Sequence, residues 1–351
     1  MSGAGRAGHP DKTQQNPTNP YTAGKAILGR RRFGAGRAGG KISGTLNHSV
    51  AIELTAVIVA VTGQEPRVLT TGAGRLLPSG PFESSHRTLQ ASLRSWVEQQ
   101  TRHPLGYVEQ LYTFADRDRT DRGAGERVIS ISYLGLTTEA TAAADLSAGW
   151  RSWYRYLPWE DWRGGAPAVV MQVIRPGLRA WVMQAADAAM RQARARRVAA
   201  LFPRSIAHWN EEFALQRYEL LYEAGLVAEA TRQREQPGLG IGEAMMHDCR
   251  RILATGMARL RAKIKYRPVV FELLPPSFTL LQLQHAVEAL AGRTLHKSNF
   301  RRLIEHLGLV EETGKITTET GGRPAKLFRF RRTIVAERDI AATRLPVARA
   351  P

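Results

Sequence analysis

The stretch GPFESSHRTLQASLRSWVEQQT at 80–101 has the spacing of a metal-holding helix and little of the charge such a helix needs. Leu89, Leu93, Trp96 and Val97 recur at helical spacing and predict a helix with one buried face. A hard divalent cation bridging a pyrophosphate requires several anionic oxygens on one helix face. Here that face offers a single carboxylate, Glu98, which is too few for metal-assisted hydrolysis. A second set of residues has a different chemistry. Lys297, Ser298, Asn299, Arg301 and Arg302 fall within six positions, with Arg323 and Lys326 following. Basic and polar groups so grouped suit contacts to phosphates and base edges. The nine histidines and the single cysteine, Cys249, show no zinc-ligand spacing, so no metal site is expected.

Several elements must position these residues. "VAIELTAVIVAVTG" at 50–63 reads as a buried strand, "EPRVLTTG" at 65–72 as its hairpin partner, and "YVEQLYTFAD" and "RVISISYLGLT" as two more strands around the helix. In the last, Ser130 and Ser132 alternate with Ile129, Ile131 and Tyr133, which predicts one polar face. This order predicts a mixed sheet with helices against it, an α+β fold. Residues 150–238 are dense in aromatics and then helical, with helices around 178–200 and 208–226. Their rings are expected to be buried, in the core or between protomers, and the run "MRQARARR" is expected to be a solvated helix face.

A further helix is expected at about 242–263, its last turns carrying Arg259, Arg261, Lys263 and Lys265 where cations complement the helix dipole. Thr279 and Gln282 have capping-box spacing and Phe278 and Leu283 that of a hydrophobic staple, so a helix starts at Thr279 and stops at Gly292. Phe300, Leu303, Ile304 and Leu307 mark the apolar face of a second helix, ending at Gly308. With the hairpin read in "LVEETGKITTETGGRPAKLFRFRR", these make a winged helix-turn-helix. If Phe300 and Leu303 face the core, Lys297, Ser298 and Arg301 point into a major groove, Arg302 lies on the shoulder toward a phosphate, and Arg323 reaches a minor groove. Thr279, Gln282, Asn299 and Lys326 complete the candidate DNA-binding set.

Charge supports a polyanionic partner. The formal net charge is +19, and it sits at the ends: eight Lys/Arg against one acid over 1–42 and twenty against ten over 241–351, with twenty-two against twenty between. Such polarity suits nucleic acid through counterion release, although charge also maintains solubility. Residues 1–45 read as a basic Gly/Ala/Pro-rich arm that either touches phosphates or is inert, and 333–351 as a tail. No apolar run approaches the ~20 residues of a membrane span and no secretory h-region opens the chain, so a cytosolic, nucleoid-associated location is expected.

The combination of "VEQLYTFADRDR" with "GERVISISYLGL", "RLRAKIKYRPVVFELLPPSFTLLQLQ", "HKSNFRRLIEHLGLVEETG" and "GGRPAKLFRF" resembles the Nudix-related transcriptional regulators of NAD metabolism, the NrtR family, and their NadQ-like branch. The resemblance implies a degenerate Nudix-like effector domain at 46–240, with an insertion at about 161–238, followed by a linker helix and winged helix at 241–332. Laid on the Nudix box from Gly80, the first Glu position is His86, Arg94 matches, the next Glu is Ser95, the final pair is Glu98 and Gln99, and the closing Gly is Thr101. The frame then serves as a nucleotide pocket without hydrolysis. The resemblance implies a homodimeric repressor of NAD synthesis genes on a palindromic operator, with NAD, ADP-ribose or ATP as effector and no cofactor. Candidate effector residues are Arg94, Glu98, Tyr112, Phe114 and Arg127, the two aromatics being either adenine platforms or core. The competing reading is a weakly active Nudix hydrolase of ADP-ribose or a similar diphosphate.

Overall fold

The computed structural model describes residues 50–83, 85, 87–102, 105–116, 127–139, 148–231, 241–266, 269–318 and 324–331, without the side chains of Arg127, Lys265, Tyr266 and Phe271. The proposed basic arm and tail, His86 and Arg323 lie outside these residues.

Strand β1 (Val50–Thr62) is the spine of a six-stranded mixed sheet. Its aliphatic and β-branched run is buried on both faces, as expected of a central strand. Beyond a turn at Gly63, β2 (Glu65–Thr70) returns antiparallel to it, and the short β3 (Ser79–Pro81) pairs with its first half. Helix α1 (Leu89–Thr101) follows, then β4 (Tyr107–Phe114), β5 (Arg127–Leu136) and β6 (Gly149–Ser152). The order is β4-β5-β1-β2-β6, with β5 parallel to β1 and the other pairs antiparallel. Strands β3 and β6 are too short to show in sequence periodicity. The polar face expected on β5 is not solvated: Ser132 is fully buried, and its hydroxyl donates to the Tyr112 carbonyl at 2.8 Å.

The two faces of the sheet bury different partners. Leu54, Ala56 and Ile58 of β1, with Leu69 and Tyr133, pack with Leu93 and Val97 of α1. Val57, Val59, Val68, Leu134 and Leu136 join a larger core that includes Leu253, Met257 and Leu260 of α5 (Cys249–Tyr266). Helix α5 approaches β1 at Gly256, where a Cβ would stand 2.8 Å from Val57 Cγ1. The helix begins later than the expected 242–263, because Gly242 and His247 hold left-handed backbone at φ +71° and +51°.

The aromatic segment belongs to this larger core. Trp153 and Trp159 are fully buried, and Trp162, Trp181 and Trp209 nearly so, which places the rings within the protomer. The helical stretch beyond them is divided into α2 (Arg175–Met183), α3 (Ala188–Leu201) and α4 (Ala214–Glu223). The first two are separated because Asp187 caps α3, its carboxylate accepting the Met190 N–H at 2.7 Å. Helix α3, which carries "MRQARARR", buries no residue.

The last elements are α6 (Leu280–Ala291), α7 (Lys297–Leu307), β7 (Val310–Thr317) and β8 (Ala325–Phe330). Left-handed glycines, Gly292 and Gly308, terminate the two helices, and β7 and β8 form an antiparallel wing. The chain before α6 joins the wing, since Phe278 exchanges both backbone hydrogen bonds with Phe328 and its ring lies 4.5 Å from that of Phe330. No described helix is long and apolar enough to cross a membrane.

Candidate nucleic-acid interface and effector pocket

Helix α6 is fixed by its cap. The Thr279 hydroxyl accepts the Gln282 N–H at 3.1 Å and the Gln282 Oε1 accepts the Thr279 N–H at 2.7 Å, a complete capping box. This argues against DNA contact for Thr279, which is 3% exposed with its hydroxyl and N–H both taken up by the box, whereas Gln282 is exposed and commits only the Oε1 of its side chain. Lys297, Ser298, Asn299, Arg301 and Arg302 on α7 are all exposed. Lys326 is exposed on the wing but ion-paired with Glu312 at 2.9 Å, and Arg329 is paired with Glu311 at 2.7 Å, so the wing is less purely cationic than its sequence suggests.

The apolar face of α7 is narrower than expected. Phe300 and Ile304 are buried, whereas Leu303 is 53% and Leu307 50% exposed. The buried edge therefore bisects Phe300 and Ile304, and at about 100° per residue the position opposite it is Arg302, not Arg301. Arg302 projects straight outward with Ser298, one turn before it, while Arg301 and Lys297 share a shoulder. The packing thus gives Arg302 the outward direction that the spacing alone had given to Arg301.

The winged helix is joined to the body by a buried ionic cluster. Glu160, fully buried, accepts from Arg217 Nε at 2.6 Å, Arg217 Nη2 at 2.9 Å and Arg261 Nη1 at 2.5 Å, and both arginines are themselves buried. Burial alone would raise the Glu160 carboxyl, but the Arg217 and Arg261 guanidiniums overcome it and hold the group below the usual carboxylate range. Arg261 Nε also donates to the Leu290 carbonyl at 2.8 Å at the end of α6, and Trp162 N–H donates to Gly292 O at 2.7 Å. Burial pushes the Tyr154 hydroxyl up, so it stays protonated and donates to Ala289 O at 2.7 Å. Gly292 is required here twice over. Its φ is +71°, and a Cβ would stand 2.2 Å from the Glu160 carbonyl. Arg261, expected as one of four cations complementing the dipole near a helix end, is the buried centre of the junction. Its place on the stripe Leu253, Met257, Leu260 and Ile264 was the signal that could have shown it.

The candidate effector residues do not converge. Arg94 donates to the carbonyls of Leu105 and Gly106, which ties α1 to the loop before β4 and occupies its guanidinium. Glu98 is exposed on α1. Phe114 is buried in the core on the α5 side of the sheet, opposite α1, so the box residues and this ring lie on different faces. Tyr112 is 60% exposed beside the irregularity of β4, its ring 5.0 Å from Phe114. Arg127 opens β5 with its backbone opposite Val50.

A small cleft lies on the Phe114 side. It is lined by Glu53, Thr55, Ser79, Phe114, Asp116, Val128, Ser130, by His247 and Asp248 just before α5, and by Cys249 and Ile252 in its first turn. Its free interior is about 30 Å³, room for about two water molecules and far short of a nucleotide. Arg251 spans the rim between Asp116 and Glu219, each at 2.5 Å, with its guanidinium 4.8 Å above the Phe114 ring. No group of three or more potential metal ligands is found among the described residues.

Residues 270–330 match the model of the NrtR DNA-binding winged helix domain. Over 79 residues the chain is 42% identical to an ADPR responsive transcriptional repressor from Acinetobacter baylyi, and the match covers 22% of this chain and 31% of that protein. The chain thus matches under a third of the length of this curated relative. Among solved structures, Shewanella oneidensis NrtR complexed with a 27mer DNA is similar at a TM-score of 0.49 and 18% identity, over 81% of this chain and 95% of that one. A MutT/nudix family protein from Enterococcus faecalis reaches 0.47 at 15% identity, covering 81% and 87%. The NUDIX domain of Shewanella oneidensis NrtR complexed with ADP ribose reaches 0.28 at 16% identity, covering 40% and 94%.

Proposed function

We propose that this chain is an NrtR-type transcriptional repressor of NAD synthesis genes, a homodimer that grips a palindromic operator with α7 and the wing and alters that grip when ADP-ribose binds its Nudix-like body. The observation that carries this reading is the coincidence of the matched winged helix domain with an α7 whose outward side is exposed and basic. ADP-ribose is preferred to NAD or ATP because the relative sharing 42% identity is described as ADPR responsive.

Helix α5 supplies a route between the two sites. Its first residues wall the cleft beside Phe114, and Arg261, three turns further on, binds the end of α6. A nucleotide that widened the cleft would push on the same rigid rod that seats the winged helix, and differential contact of this kind is what coupling requires. Hydrolysis is not part of the proposal. On the exposed side of α1, Glu98 has Ser95 and Gln99 as neighbours where carboxylates would be needed, and these two are hydrogen-bonded to each other at 3.4 Å.

Selection of duplexes from a random pool by the full-length protein tests the DNA-binding part. The expected product is an inverted repeat with half-site centres one helical turn or a multiple of it apart. Recovery of unrelated sequences bound only at low salt would reduce the protein to an electrostatic nucleic-acid binder.

A further inference from the structure

A groove of about 420 Å³ runs along one flank of α7. One wall belongs to the winged helix, with Arg293, His296, Asn299 and Leu303; the other is the turn Ile206–Ala207 from the helical segment between the body and α5. Its floor is apolar, formed by Trp162, Leu295 and Phe300. The exposed flank of Leu303, which the packing of α7 leaves unexplained, opens onto it.

The composition of this groove suits a polyanionic occupant. Among the described residues no acidic one lines it. Arg204 and His208 are exposed on the turn that forms its far wall, and among the described residues no acid stands within ion-pair distance of Arg204. The side chain of Arg293 is 45% exposed and meets Glu211 only at 3.9 Å. An apolar floor under a cationic rim suits a sugar-phosphate strand, a deoxyribose packing on the floor while the phosphates on either side of it meet the cations at the rim. The groove also begins at Asn299, in the first turn of the helix proposed to read bases, so a duplex seated there has a strand passing alongside. The chain just past the turn is tied to the end of α6: Arg217 donates to the Asn210 carbonyl at 2.9 Å, Glu160 joins Arg217 to Arg261, and Arg261 donates to the Leu290 carbonyl at 2.8 Å.

We propose that the turn at 204–208 is a second DNA contact: with Arg293 it clamps the sugar-phosphate strand that flanks the recognition helix, extending the interface beyond the winged helix. This rests on the proposed DNA binding and adds to it the strand held and the residues that hold it. The contact is not sequence-specific, so it lengthens the site and deepens its salt dependence without adding to the code.

The test uses the full-length protein, folded as judged by its melting profile, on a selected duplex and on a scrambled one across a salt series. The variants are Arg204→Glu, Arg293→Glu and the double substitution, with Arg302→Ala as the control for the recognition helix. The double substitution is expected to weaken both duplexes by a similar factor of roughly ten and to make the slope of log affinity against log salt shallower by about two, one for each lost phosphate contact. Hydroxyl-radical footprints should lose protection on one strand just outside each half-site. Unchanged affinity, slope and footprint in the double variant, with Arg302→Ala still weakening the selected duplex, would overturn the clamp and leave the winged-helix reading standing. Loss of affinity in neither would overturn both.

Discussion

Replacement of Glu160 by glutamine is expected to destabilise the protein by roughly 3–5 kcal/mol, the usual consequence of leaving a buried charge without its partner. Glu160 is the one carboxylate shared by Arg217 and Arg261, and all three side chains are inaccessible to solvent. Glutamine keeps the volume and one acceptor oxygen but removes the negative charge, so two guanidiniums remain in a dry site with carbonyls, the Tyr154 hydroxyl and the Trp209 ring as direct partners, and Glu211 as the acid nearby. At a few degrees per kcal/mol for a body of this size, the melting temperature should fall by roughly 10 °C.

The pH dependence has a definite sign. The folded pKa of Glu160 is lowered, so the stability it confers is fully present above its unfolded value, about 4.3, and is lost as pH falls through the lower folded value. Wild-type stability should therefore decline on the acid side of about pH 4.3 more steeply than that of Glu160→Gln, and the two should differ by a constant amount between pH 6 and 8. Melting curves over that range decide the matter. A variant within about 1 kcal/mol of wild type at pH 7 would mean that the cluster contributes no more than hydrophobic residues of the same volume would.

The second large effect is expected on α7. Since Phe300 and Ile304 define the buried edge, Arg302 is the arginine that points directly away from the protein, and its guanidinium lies 3.4 Å from Asn299 Oδ1. A bidentate contact from such a position to a guanine is worth roughly 1–3 kcal/mol of discrimination. Arg302→Ala should lower affinity for the selected duplex by about tenfold to a hundredfold, and leave scrambled DNA nearly unaffected. Arg301→Ala should weaken both alike and reduce the salt slope by about one, as loss of a phosphate contact does. Binding isotherms for both variants on both duplexes distinguish the two. The opposite outcome, with Arg301 carrying the sequence preference, would show that α7 is rotated on DNA by about a quarter turn from the orientation its packing implies.

That inversion illustrates what periodicity conveys and what it omits. The capping box at Thr279 and the stop signals at Gly292 and Gly308 are local, depending on a few consecutive residues, and each appears in the fold as the sequence implies. Spacing also shows that α7 is amphipathic. It does not show how wide a stripe the neighbours cover, and here they cover Phe300 and Ile304 but leave Leu303 facing the groove. The candidate effector residues lie on different faces of the sheet for a related reason. Strand and helix were legible separately, yet whether a given strand residue faces α1 or α5 depends on sheet order and on the irregularity in β4, neither of which is encoded locally. The ionic junction was hidden because Glu160, Arg217 and Arg261 are far apart in sequence, and charged residues are ordinarily on the surface.

The most direct measurement of the central claim is the affinity of the full-length protein for its selected duplex, by fluorescence anisotropy, with and without saturating ADP-ribose. Coupling between two sites in one protein is typically 1–3 kcal/mol, so the dissociation constant should change about fivefold or more with ADP-ribose. NAD and ATP should have smaller effects, and the ADP-ribose should be recovered intact after incubation with magnesium. A dissociation constant unchanged by ADP-ribose, or steady release of AMP that Glu98→Gln abolishes, would contradict the account and favour the hydrolase.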